Sequence, residues 1–126
     1  MNKIKVLIAD AHRLMREALR VAVEIEADMD VVGEARNGDE TVARARALSP
    51  DVILIDIYIP DEKDGLKAIN SLRSLNDQNR IVVLSSSTED GLAEAAFQSG
   101  ASAYILKDAL KDAPRAELLR AIRQAA

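Results

Sequence analysis

Four residues end short apolar runs with groups that do chemistry: Asp10 after IKVLIA, Asp56 closing DVILID, Ser85 closing RIVVLS and Lys107 closing SAYILK. A charge at the end of a buried run costs free energy unless something pairs with it. Two acids, a hydroxyl and a lysine brought to one place would supply each other's partners and make a site. The carboxylates suit a hard cation bound through oxygen, as Mg2+ prefers. A carboxylate is also a competent phosphoryl acceptor, forming an acyl phosphate. A lysine and a hydroxyl opposite suit the arriving phosphoryl group.

The elements that must position these groups alternate along the chain. Residues 4–9, 30–35, 51–56, 80–85 and 102–107 read as strands, three of them almost continuously apolar, as in strands buried on both faces. Helical patterns lie between. The first predicts Leu14, Ala18, Val21, Ala22 and Ile25 inward, with Arg13, Arg16, Glu17, Arg20 and Glu24 on the rest of its surface. The second spans about 39–48, opened by an Asn37-Gly38 turn and stopped by Ser49-Pro50, with Val42, Ala45 and Leu48 inward. The third carries Leu66, Ile69 and Leu72. The fourth is expected to start near Ser87-Thr88 and to stop at Gly100. The fifth is expected to start around Asp112 to Pro114 and shows Leu118, Ile122 and Ala125. Strand and helix repeated in this way imply an α/β fold with a parallel sheet and helices on both faces. In such sheets the working groups stand at the carboxyl ends of the strands.

Composition narrows the class. The 126 residues fit one domain. With one Phe, two Tyr and no Trp, the core must be aliphatic. No cysteine is present, so thiolate metal sites and disulfides are excluded. A net charge of −4, spread along the chain, offers no basic patch for nucleic acid, and direct binding of DNA by this chain is not expected. No apolar run approaches the roughly 20 residues of a membrane span. The N-terminus is too short and too soon charged for a signal peptide, so a cytoplasmic location is expected.

The segments VLIADAHRLMRE, DVILIDIYIP followed by DG, IVVLSS and SGASAYILKD, in this order and spacing, resemble the receiver domain of two-component response regulators across essentially the whole chain, residues 1–126. ADAHRLMRE, VVGEARNG and AYILKDA look most like the NarL/FixJ (LuxR-type) subfamily. The resemblance implies a flavodoxin-like (βα)5 three-layer sandwich with strand order 2-1-3-4-5. It implies Asp56 as phosphoacceptor, Asp10 as an acid near Mg2+, and the backbone carbonyl of Tyr58 as a metal ligand. Ser85 takes the place of the switch hydroxyl, Lys107 that of the phosphoryl-contacting lysine, and Tyr104 that of the switch aromatic. It further implies a sensor histidine kinase as donor and a changed helix 4–strand 5–helix 5 face as output. A C-terminal DNA-binding domain in the full-length protein is expected, and a homodimer is compatible. Self-catalysed phosphotransfer and dephosphorylation are the most such a domain does as an enzyme.

Two departures bear on the chemistry. The family's first strand ends in two acids, and the second ligates Mg2+ directly; here the pair is Asp10-Ala11. Alanine ligates nothing, so Mg2+ binding is expected to be weakened or absent. The loop from Asp56 to Gly65 is also one residue longer than usual and acidic, which makes Asp61 or Glu62 substitute ligands in one reading and ordinary solvated helix-start acids in a simpler one. His12 reads as an exposed first-turn residue rather than a ligand. The competing function is a pseudo-receiver that works by protein contact without phosphorylation. An aspartate-nucleophile phosphatase would want a second Asp where Tyr58 stands. No glycine-rich phosphate loop follows strand one, and flavin-stacking aromatics are nearly lacking.

Overall fold

Runs of β-branched residues build the centre of the molecule, whose computed structural model describes residues 3–76, 80–86, 91–107 and 114–126. The strands are β1 (Ile4–Ala9), β2 (Met29–Ala35), β3 (Val52–Asp56), β4 (Arg80–Ser85) and β5 (Ala103–Leu106). They pair in parallel in the order β2-β1-β3-β4-β5. This is the flavodoxin-like order expected from the sequence. Between and after them run α1 (Arg13–Glu24), α2 (Gly38–Leu48), α3 (Glu62–Leu75), α4 (Leu92–Ser99) and α5 (Pro114–Ala125). The predicted helix start at Ser87-Thr88 and the residues 112 and 113 of the fifth helix lie outside the described residues.

Alternation along the central strands divides the core in two. Leu7, Ile53, Ile55, Ile81 and Val83 face α2, α3 and α4 through Ala45, Ile69, Leu72 and Ala96. Val6, Ile8, Leu54, Val82 and Leu84 face α1 and α5 through Leu19, Val23, Leu118 and Ile122. Both faces of β3 are therefore covered, and all its residues are buried. Burial at about 25 cal/mol per Å2 of apolar surface is what holds the layers.

One helix face differs from expectation. Leu14, Val21 and Ile25, read as inward, are 80%, 60% and 61% exposed. Leu19 and Val23 are buried instead, with Met15 and Ala22 packed beside them. Both stripes obey helical spacing, so periodicity alone does not choose between them. Two arginines do. Arg16 Nη1 donates to the Asp10 carbonyl at 2.8 Å, and the Nε atoms of Arg16 and Arg20 reach Glu34 of β2 at 3.3 and 2.8 Å. These contacts turn the basic flank of α1 toward β2 and leave Leu14 outside.

Local signals at α2 act as expected. Asn37 Oδ1 accepts from the Glu40 N–H at 2.8 Å, and Ser49 ends the helix in the left-handed region at φ 48°. Replacing Asn37 with alanine removes the acceptor and is expected to cost about 1 kcal/mol, measured as a lower urea midpoint at unchanged slope.

Candidate functional site

Parallel pairing brings the carboxyl ends of β1, β3, β4 and β5 to one edge of the sheet, beside the reversal of strand order at β1 and β3. Asp10 follows β1, its N–H bonded to the Ala35 carbonyl at 3.0 Å. Asp56 ends β3 beside Leu84, and Ser85 stands one residue further along β4, beside Leu106 of β5. Lys107 follows Leu106 directly. The apolar strands thus carry two carboxylates and a hydroxyl into the interior: Asp10 and Ser85 are 0% exposed and Asp56 is 3% exposed.

Lys107 is the partner the buried acids need. Its Nζ donates to Asp56 Oδ2 at 2.8 Å and to Asp10 Oδ2 at 3.0 Å. The second oxygens are bound as well. Asp56 Oδ1 accepts from the Tyr58 N–H at 2.9 Å, and Asp10 Oδ1 accepts from the His12 N–H at 2.8 Å. Burial pushes the Asp56 carboxyl above its usual range; the bonds from Lys107 and Tyr58 oppose this without cancelling it, and the nearby Asp10 adds to the rise. Burial also works against the charge on Lys107, but its bonds to Asp56 and Asp10 outweigh that and hold the ammonium above its usual range. Two carboxylates against one ammonium leave the cluster short of positive charge, which favours a cation or a compensating proton.

Tyr104 sits in β5 opposite Val83, half-buried against the α2–α3–α4 core. Asp61 is the N-cap of α3, its Oδ1 accepting from the Asp64 N–H at 2.9 Å, and Glu62 is the first residue of that helix. Among the described residues, the acid and histidine groups that could share a cation are Asp10, His12 and Asp56; one ligand atom from each lies within 4.8 Å of the others. Neither Asp61 nor Glu62 belongs to that group. His12, expected as an exposed first-turn residue, stands beside the two acids. Its side chain is 75% exposed, yet Nδ1 lies 3.2 Å from Asp10 Oδ1. The available signal was its place two residues after Asp10, in the turn that opens α1.

Known proteins resemble this chain in sequence and fold. The family described as response regulator receiver domain matches residues 6–123. The transcriptional regulatory protein YdfI of Bacillus subtilis is 40% identical over 104 residues, which are 82% of this chain and 48% of that protein. The nitrate/nitrite response regulator NarL of Escherichia coli is 36% identical over 121 residues, 96% of this chain and 54% of that protein. The chain thus spans about half the length of these relatives. Among solved structures, the signal receiver domain of the putative response regulator NarL from Mycobacterium tuberculosis superposes with a TM-score of 0.85 at 29% identity, over 98% of both chains. A receiver match over nearly the whole chain, on a sheet of this order with these strand-end groups, places the protein: it belongs to the response regulator receiver domain family.

Proposed function

We propose that the domain is a phosphorylation-operated switch in which Asp56 accepts a phosphoryl group from a sensor histidine kinase and the change controls transcription. The observation that carries this reading is the Asp56 carboxylate held at a buried strand end by Lys107 Nζ at 2.8 Å, with Ser85 ending the adjacent strand. An Asp56 oxygen attacks the phosphorus of the phosphohistidine in line; an O–P bond forms, the N–P bond breaks, and the electron pair leaves on the histidine nitrogen. Transfer of this kind is mostly positioning and charge neutralisation. Lys107 neutralises part of the charge on the phosphoryl oxygens, and the Ser85 hydroxyl donates to one of them. Drawing Ser85 toward the phosphoryl group opens space beside β4, and Tyr104 on β5 turns into it. The α4–β5–α5 face then changes, a two-state element biased by a local charge.

A divalent cation bound by the Asp10 and Asp56 carboxylates and the Tyr58 carbonyl would neutralise further phosphoryl charge. Their donor type fits Mg2+, but Ala11 leaves the set one carboxylate short, which weakens Mg2+. The protein is read as cytoplasmic, as a regulator rather than a metabolic enzyme, and as the receiver half of a longer regulator with a C-terminal DNA-binding domain. No described helix is long and apolar enough to cross a membrane.

Incubation with acetyl phosphate and Mg2+ is expected to add one phosphoryl mass to the protein and none to Asp56→Asn. Ala11 and the Lys107 bridge to both carboxylates favour a second reading, a pseudo-receiver whose strand ends Lys107 holds together without phosphorylation. An unchanged mass in folded protein, judged by circular dichroism, would select it.

A further inference from the structure

The strand-end site has alanine at position 11, where the resemblance implies an acid, and it has a nitrogen donor within reach. His12 opens α1 as its N-cap residue, and its ring makes no capping bond. Instead Nδ1 faces the Asp10 carboxylate, whose Oδ1 lies toward His12 and whose Oδ2 lies toward Lys107. We propose that Asp10, His12 and Asp56 form a divalent-cation site with two carboxylate donors and one imidazole donor, which selects a transition metal such as Mn2+ or Zn2+ over Mg2+.

The geometry is close to what such an ion needs. Donors held about 2.1 Å from a common ion stand no more than about 4.2 Å apart. The three ligand atoms lie within 4.8 Å of one another, so the group closes by less than about 1 Å. The two carboxylates are held in the interior, and the exposed imidazole is the member free to adjust. Its tautomer supplies the switch. With the proton on Nδ1, the ring donates to Asp10. With the proton on Nε2, the Nδ1 lone pair points at the carboxylates, an arrangement stabilised only by a cation between them. Donor type then sets the selectivity. Imidazole suits Zn2+ and its neighbours, carboxylates suit Mn2+ as well as Mg2+, and Mg2+ keeps water in preference to nitrogen.

The proposal rests on reading these strand ends as the receiver's acceptor site, and its test needs no phosphoryl donor. Mn2+ binding is followed by the loss of the free-ion electron paramagnetic resonance signal, Mg2+ by competition, and Zn2+ by the 15N shifts of the His12 ring. The unaltered protein is expected to bind Mn2+ at least about tenfold more tightly than Mg2+. His12→Ala is expected to weaken Mn2+ about tenfold or more and to leave Mg2+ within about twofold. His12→Gln, which keeps a polar side chain at the helix start, carries the same measurement should the alanine variant fold poorly. Zn2+ is expected to move the Nδ1 resonance into the metal-bound range. Equal weakening of Mn2+ and Mg2+, no weakening of either, or an unmoved Nδ1 resonance would overturn the proposal. A His12-dependent Mn2+ preference without phosphorylation of Asp56 would defeat the phosphoacceptor reading alone. Phosphorylation with Mg2+ that His12→Ala leaves intact, together with an unchanged Mn2+ affinity, would defeat the metal proposal alone.

Discussion

Lys107→Met is expected to lower the stability of the metal-free protein by about 3 kcal/mol near neutral pH, and by much less in mild acid. Removing the ammonium leaves the Asp10 and Asp56 carboxylates facing each other in the interior, where each Oδ2 had held Nζ within 3.0 Å. Protonation of one carboxyl limits the loss, so the cost must depend on pH. The direction follows from Asp56. Its folded pKa already stands above its unfolded one because burial outweighs Lys107. Between the two values the folded state holds a proton that the unfolded state has released. The stability from that proton is complete below the unfolded pKa and is lost as pH rises through the folded one. Without Lys107 the folded value moves higher still, and the decline toward neutral pH becomes larger. Urea unfolding with EDTA at about pH 5 and about pH 7.5 should show the variants converging at the lower pH. The double variant Lys107→Met with Asp56→Asn should recover most of the loss. An equal loss at both pH values would mean that the loss does not come from leaving the Asp10 and Asp56 carboxylates without their cation.

That cluster was readable from the sequence because each member ends an apolar run. A parallel sheet brings such ends together whatever the loops do, and Asp10, Asp56, Ser85 and Lys107 all stand at one edge. Strand bounds were equally readable: the first and fourth match β1 and β4 residue for residue, since β-branched runs between turn signals admit few registers. The rotation of α1 was not. Leu14, Val21 and Ile25 form as good a stripe as Met15, Leu19 and Ala22, and the choice came from the long-range contacts of Arg16 and Arg20 with Glu34. The direction of the His12 ring was not readable, for a related reason. The exposure of His12 was foreseen, but that direction depends on how the chain turns from Asp10 into α1, which is tertiary information. The acidic loop shows the opposite case, where a local rule sufficed: Asp61 three residues before Asp64 makes an N-cap, and its carboxylate is used there.

Gly65→Ala is expected to be the most damaging single-methyl change in the molecule, costing about 4 kcal/mol or more and lowering the melting temperature by more than about 10 °C. Gly65 lies in the first turn of α3, where alanine is ordinarily better than glycine by about 1 kcal/mol. Tertiary packing reverses that preference. A Cβ at this position would fall on the carbonyl oxygen of Ile57, with the carbonyl carbon 2.6 Å away and the Cα 2.9 Å away. The obstacle is backbone, so no rotamer change relieves it. Either α3 withdraws from β3, uncovering Ile69 and Leu72, or residue 57 moves. Residue 57 joins Asp56 to Tyr58, whose N–H holds Asp56 Oδ1, so the second escape disturbs the acceptor carboxylate directly. The variant that folds should therefore accept phosphoryl groups more slowly, by tenfold or more, beyond what its lost stability explains. Gly38→Ala is the control. Its Cβ would meet the Ala68 Cβ at 3.2 Å, a contact eased by a small shift, and the Asp64 carbonyl oxygen at 3.5 Å, an ordinary van der Waals contact, so a cost of no more than about 1 kcal/mol is expected. Similar melting temperatures for the two variants would show that α3 slides freely over β3. The close backbone approach at Ile57 would then have no part in holding Asp56 in place.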